Sequence, residues 1–202
     1  DPTLLQHYLT FQYVTEPDTI TGDIRILPKG SYMLCDGEHT ETECYYRPVF
    51  APAKGSYAEK KLRLREAVER SVESHMLSDV PLGSFLSSGV DSAVITAVAS
   101  KLSPGIKAFT VGFDVPGYSE LEDAAAISAH LDIDHIKLQC TLKDFTDSYE
   151  KVIYHLDSPV GDPSVVAIYL ISQEAARHVK GILSREGGDE LLGGYRQKAP
   201  GP

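Results

Sequence analysis

Apolar positions recur with two different periods along this chain, and from Ser56 onward their alternation outlines a fold. Leu64, Val68, Val72 and Met76 return every fourth residue, which sets them on one face of a helix over Tyr57–Leu77. Ser56, with Glu59 three residues later, has the form of a capping box that starts that helix. Leu82–Leu86 is an apolar run of strand length, and Asp91–Leu102 is a mostly apolar helix. Ile106–Phe113 is the next strand, ending at a Pro-Gly turn. Ser119 with Glu122 makes a second capping-box pattern, opening a helix to Leu131. His135–Leu138 reads as a third strand, and Phe145, Tyr149, Val152 and Leu156 stripe the helix after it. A further helix spans Ser164–His178, and Val179–Leu183 is a fourth strand.

Strands and helices that alternate with short connections predict an α/β fold: a doubly wound parallel sheet with helices on both faces. Ligands of such sheets lie beyond the carboxyl ends of the strands. The chemistry is therefore expected after Leu86, after Phe113 and after Leu183. Residues 1–50 differ in character, being rich in Thr, Tyr and Pro, and read as a short β-rich segment. Its hairpin would run Ser31–Cys35, turn over Asp36–Thr40 and return over Glu41–Tyr46. Pro48–Gly55 has the composition of a linker, so the expected division is 1–50 against 56–202.

Composition narrows the partners. The 202 residues accommodate one α/β domain with an appendage, and 42% hydrophobic with 24% charged residues is the balance of a globular protein. No apolar run approaches the ~20 residues that cross a bilayer, so no membrane partner is expected. Nothing at the start has the form of a signal peptide, and a first residue of Asp rather than Met reads as a processed chain or a fragment. With 19 basic against 29 acidic residues the net charge is −10, and no basic stretch offers phosphate contacts to a nucleic acid. Small-molecule substrates are the expectation. Cys35, Cys44 and Cys140 form no CxxC pair, and an odd count fits reduced thiols in the cytoplasm. Cys35 and Cys44 could face each other across the hairpin, but two separate thiols is the simpler reading. His130 and His135 lack the spacing of a helical metal pair and read as structural or surface groups.

Two strand ends carry the chemistry. Ser87-Ser88-Gly89-Val90-Asp91-Ser92 joins a strand to a helix. Unpaired N–H groups and the helix dipole make such a start an anion site, and small residues let backbone approach phosphate. Asp91 could hold Mg²⁺ against that phosphate. No Gly-Lys-Ser/Thr follows, so this is not a Walker A loop. After the last strand, Ser184-Arg185-Glu186-Gly187-Gly188-Asp189-Glu190 leads into Leu-Leu-Gly-Gly-Tyr195. Carboxylates among glycines suit a flexible loop with metal ligands, and Glu186 and Asp189 can both face the mouth of the sheet.

Ser87–Ser92 resembles the Ser-Gly-Gly-x-Asp-Ser loop of the PP-loop ATP pyrophosphatases, an adenine nucleotide alpha hydrolase-like fold. Asp79–Leu86, Phe109-Thr-Val-Gly-Phe113, Asp162-Pro-Ser164 and Ser184–Tyr195 are similar to the asparagine synthetases in particular. Residues 1–50 are similar to the segment that closes the glutaminase domain of that family. The resemblance implies an AMP-forming ligase: ATP activates the side-chain carboxylate of aspartate as β-aspartyl-AMP, pyrophosphate leaves, and ammonia displaces AMP. It implies Ser87, Gly89, Asp91 and Ser92 around pyrophosphate, with Asp91 on Mg²⁺. Leu86 and Val111 would meet the adenine, partly through backbone groups. Ser184 and Arg185 would line the nucleotide from the other side, Asp189 would hold a second metal or pyrophosphate, and Glu186 would lie nearest the reacting carbonyl. A homodimer is left open as the assembly.

The chain departs from the family pattern at three places. Ser88 and Arg185 stand where the family has Gly, and Ser158 stands where many members carry Glu. If position 88 needed a positive φ, Ser would cost on the order of 1 kcal/mol. Arg185 could bind phosphate or obstruct it. The family continues beyond Gly-Gly-Tyr into helices that supply a phosphate-binding lysine and much of the aspartate pocket, and it begins with a nucleophilic cysteine. The expectation is thus a truncated synthetase domain that does not hydrolyse glutamine. Two alternatives stay open: a related amide-forming enzyme such as a β-lactam synthetase, and a non-catalytic nucleotide-binding module, which Ser88 and Arg185 motivate.

Overall fold

The computed structural model describes residues 2–114 and 119–192. The Pro-Gly turn expected after Phe113 and the Gly193–Tyr195 end of the second motif lie outside the described residues. The chain divides into two compact units, residues 1–54 with 149–165, and 55–148 with 166–202.

The first unit opens with a helix that the sequence did not announce, α1 (Pro2–Phe11). Pro2 suits the first helical position, where its missing N–H costs nothing. Leu4 is its buried residue, and the chain leaves at Gln12 with φ 67, in the left-handed region that ends many helices. The hairpin of β1 (Ser31–Cys35) and β2 (Thr40–Cys44) follows where it was expected. The Asp36 carboxylate accepts from the N–H groups of Glu38 and His39 at 3.0 and 2.8 Å, which fixes the turn. Cys35 stands opposite Thr40 and Cys44 opposite Ser31, so the two thiols sit at opposite ends of the ladder, and both are free.

The second unit holds α2 (Tyr57–His75), started by the expected capping box. The Glu59 carboxylate accepts from the Ser56 N–H at 2.7 Å, and Ser56 Oγ accepts from the Glu59 N–H at 3.3 Å. Of the apolar stripe on this helix only Val72 is buried, while Leu64 is half exposed. Four parallel strands follow: β3 (Leu82–Phe85), β4 (Lys107–Phe113), β5 (His135–Cys140) and β6 (Gly181–Leu183). Between and after them run α3 (Val90–Leu102), α4 (Leu121–Leu131), α5 (Leu142–His155), α6 (Ser164–Ala175) and α7 (Gly188–Leu192). The boundaries between the units fall within α5 and α6.

Both faces of this sheet are covered, which is why its strands read as apolar runs rather than alternating ones. On one face Phe109, 1% exposed, packs with Ile171 and Ala175 of α6 and with Val179, flanked by Phe85, Val111 and Ile182. On the other, Leu86 and Ala108 meet Ala124 of α4, and Val72 of α2 meets Ala99 of α3 and Ile106. Gly83 is required under this core, because a Cβ there would stand 2.6 Å from the Phe109 ring. Burying a ring such as Phe109 contributes about 1.5–3 kcal/mol.

Two expected features differ. The Ser119–Glu122 capping box does not form: the N-cap of α4 is Glu120, without a side-chain cap, and its carboxylate turns to another loop. The last strand begins at Gly181 rather than Val179, because α6 is followed by a turn and the N–H groups of Lys180 and Gly181 both donate to Pro81 O.

The strand order is β5-β4-β3-β6. The chain steps from β3 outward to β4 and β5, then returns to the opposite side of β3. That reversal is a topological switch point, where the connections leave two neighbouring strand ends in opposite directions and open a crevice. The loops after β3 and after β6 therefore lie side by side.

Candidate nucleotide site

The site begins where β3 stops. Leu86, 3% exposed, donates its N–H to Phe109 O at 2.9 Å, continuing the β3–β4 ladder by one bond. Its carbonyl accepts the Thr110 hydroxyl at 2.6 Å. The Leu86 side chain is packed with Ala108 and Ala124, and the Val111 side chain with the Phe109 cluster. Either residue would meet a ligand through backbone.

Ser87–Ser92 is held by its own serines. Ser92 is 3% exposed, and its Oγ lies 2.7 Å from Ser87 Oγ and accepts from the Ser87 N–H at 3.1 Å. The Ser92 hydroxyl donates to Gly89 O at 3.0 Å, and the Gly89 N–H donates to Ser87 Oγ at 3.2 Å. Below the loop, Ser84 of β3 and Thr96 of α3, both fully buried, share a hydrogen bond of 2.8 Å that docks the helix on the strand. Gly89, the N-cap of α3, offers no side-chain cap to the first turn. The first N–H groups of a helix left uncapped in this way face an anion readily.

Ser88 is exposed, and its N–H donates to a Glu120 carboxylate oxygen at 3.2 Å. Its φ is negative: among the described residues only Gln12 and Asp132 have positive φ without being glycine. The strain considered for Ser at this position is therefore absent.

The second loop lies against the first. A Cβ built on Gly188 would come to 3.4 Å from Asp91 Oδ2, so the start of α7 meets the half-buried Asp91 carboxylate. Gly187 takes φ +87, a conformation glycine adopts without penalty, and this turns Ser184–Glu186 into α7. Where a flexible loop was expected after Gly187, one turn of helix stands. Arg185 and Asp189 form an ion pair at 3.0 Å, one helical turn apart, with side chains 47% and 19% exposed. Ser184 and Glu186 are exposed. Hydrogen bonds join Ser87, Gly89 and Ser92, close approach joins Asp91 to the second loop, and the ion pair joins Arg185 to Asp189.

Sequence did not single out Glu120, gave Thr110 no role beyond its place in Phe109–Phe113, and read His135 as a structural or surface group. His135 of β5 has its Nε2 2.7 Å from Thr110 Oγ1. Thr110 is 3% exposed and spends its only proton on Leu86 O, which can only accept, so the imidazole Nε2–H must donate to it. His135 Nδ1 is then a bare acceptor, buried and without a partner in the described structure. Burial, with the charge of Lys137 adding to it, holds the His135 pKa below the usual histidine value. The one available signal was a hydroxyl at position 110 inside an apolar strand.

The chain belongs to the asparagine synthase family, whose model matches residues 63–201. It is 38% identical over 197 residues to asparagine synthetase [glutamine-hydrolyzing] 1 of Bacillus subtilis, covering 96% of this chain and 31% of that protein. It is 34% identical over 201 residues to asparagine synthetase B [glutamine-hydrolyzing] of Escherichia coli, covering 88% and 35%. The chain thus spans about a third of the length of these relatives. Among solved structures, the NMN synthetase of Francisella tularensis has a TM-score of 0.46 at 15% identity, covering 70% of this chain and 60% of that one, a likeness too loose to bear on function.

Proposed function

We propose that this chain carries the ATP-binding part of an AMP-forming ligase that converts aspartate to asparagine. The observation that supports it most is the meeting of the two motif loops at the β3/β6 switch point, with the Asp91 carboxylate against Gly188. Family membership supports the same reading.

In this reading the polyphosphate lies over the start of α3. The Ser87–Ser92 clasp keeps the loop in shape, and the Ser88 N–H exchanges the Glu120 carboxylate for a phosphate oxygen. The adenine meets backbone at Leu86 and Val111, and Ser184 and Arg185 flank the nucleotide. Glu186, exposed in the turn before α7, orients ammonia and takes its proton as the amide bond forms and AMP departs. A carboxylate is a poor electrophile, so the task of the site is to neutralise charge on the departing pyrophosphate.

The donor set fits Mg²⁺. Mg²⁺ is held by one or two carboxylates together with substrate phosphates, rather than by a closed protein cage. Asp91, and Asp189 at the start of α7 on exchanging its Arg185 partner for the cation, would supply the hard oxygen donors. The bound cation would add positive charge where pyrophosphate leaves.

The test is aspartate-dependent exchange of pyrophosphate into ATP, measured on the intact natural protein. Asp91→Asn is expected to abolish exchange while leaving the far-ultraviolet circular dichroism unchanged. Exchange at the native rate in that variant refutes the role given to Asp91. ATP binding without exchange under saturating aspartate and Mg²⁺ would instead favour a non-catalytic nucleotide module.

A further inference from the structure

In a regular parallel ladder, the bond after Leu86 N–H to Phe109 O would run from the Val111 N–H to Leu86 O. Among the described residues that bond is not made. The Leu86 carbonyl takes the Thr110 hydroxyl instead, at 2.6 Å, and His135 Nε2–H holds that hydroxyl at 2.7 Å. The side chains of β4 and β5 thus end the ladder one bond early, at the strand end beside the Ser87–Ser92 loop.

We propose that Thr110 and His135 are positioning residues for the adenine base: by occupying the Leu86 carbonyl they keep the Val111 N–H out of the sheet and available to an acceptor nitrogen of the base. The inference rests on the adenine-nucleotide reading above. The geometry requires a directional chain in which each member has one role. Leu86 O accepts, Thr110 Oγ1 donates to it and accepts from His135, and His135 donates from Nε2 alone. An isosteric residue without the hydroxyl breaks the chain at its centre, and the Leu86 carbonyl, buried beside Ala108 and Ala124, then regains a partner by pairing with the Val111 N–H.

The experiment compares the natural protein with Thr110→Val, Thr110→Ser and His135→Phe in two measurements. The first is amide hydrogen exchange of Val111 without nucleotide. Thr110→Val is expected to slow it, because the ladder bond forms. His135→Phe leaves the Thr110 hydroxyl without its anchor but still able to donate to Leu86 O, and is expected to slow it less. A general loosening of structure would speed it. The second is the dissociation constant for ATP set beside that for inorganic tripolyphosphate. Thr110→Val is expected to weaken ATP about tenfold, the equivalent of about 1.4 kcal/mol, and to leave tripolyphosphate unchanged. Thr110→Ser restores both readings. Faster or unchanged Val111 exchange in Thr110→Val, or ATP binding equal to the natural protein, overturns the proposal. Failure of the unaltered protein to bind any adenine nucleotide is a separate result, which overturns the nucleotide reading and this one with it.

Discussion

Removing one oxygen from Ser92 tests whether the loop between β3 and α3 is held by its own serines. Ser92 is 3% exposed, and its hydroxyl meets Ser87 Oγ at 2.7 Å, the Ser87 N–H at 3.1 Å and Gly89 O at 3.0 Å. In Ser92→Ala the Ser87 N–H loses its acceptor, and leaving a buried donor unpaired costs about 1–3 kcal/mol. Ser87 is only half buried, so the lower part of that range applies. Alanine's better helix propensity offsets about 0.5 kcal/mol of the loss. The expected net destabilisation is about 1 kcal/mol, a fall in Tm of about 2–4 °C for a chain of this length. Urea unfolding followed by circular dichroism reads the difference, with Ser92→Thr as the control that keeps a hydroxyl. If Ser92→Ala matches the natural protein within about 0.3 kcal/mol while its loop amides exchange no faster, the clasp is not what holds the loop.

The other predictions concern sign rather than size. Ser88→Gly is expected to lower stability by about 0.5 kcal/mol, because glycine adds backbone freedom to the unfolded chain and no positive φ is relieved; a rise in Tm would show strain at Ser88 after all. His135 has its pKa lowered in the fold by burial, so the folded state binds fewer protons there than the unfolded chain. Its contribution is fully present above the ordinary histidine pKa of about 6.5 and is lost as pH falls from there through the folded value. Tm measured between pH 7.5 and pH 5.5 should therefore drop less in His135→Gln than in the natural protein, and parallel curves would contradict this.

Much of the second unit was legible because its signals are local. Ser56 and Glu59 are three residues apart, so their reciprocal cap needs nothing beyond its own helix turn. The same pattern at Ser119 and Glu122 misled, since the Glu120 carboxylate has a partner in Ser88, remote along the chain, and the helix starts at Leu121. Residues 2–11 were passed over because their Thr and Tyr content read as strand, although Pro2 was a helix-start signal. Within the site, the loops were legible as chemistry but not as contacts. The Arg185–Asp189 pair needed α7 to bring its members one turn apart, and that short helix hides in a glycine-rich stretch.

Periodicity determined the helices α2 to α6 and the strands β3 to β6, though not α1 or α7, and small polar residues after apolar runs determined where an anion could approach. Those are properties of neighbouring residues, since burial on one or both faces dictates spacing. Strand order is different in kind. That β6 pairs with β3 follows from the packing of Phe109 against α6 and of Ala99 against Val72, contacts between residues far apart in sequence. Only this order brings Asp91 to Gly188 and carries the Thr110 hydroxyl between His135 and Leu86. The backbone angle at Ser88 was likewise decided by the tertiary structure, because the fold, not the residue type, sets how sharply the chain must turn from β3 into α3.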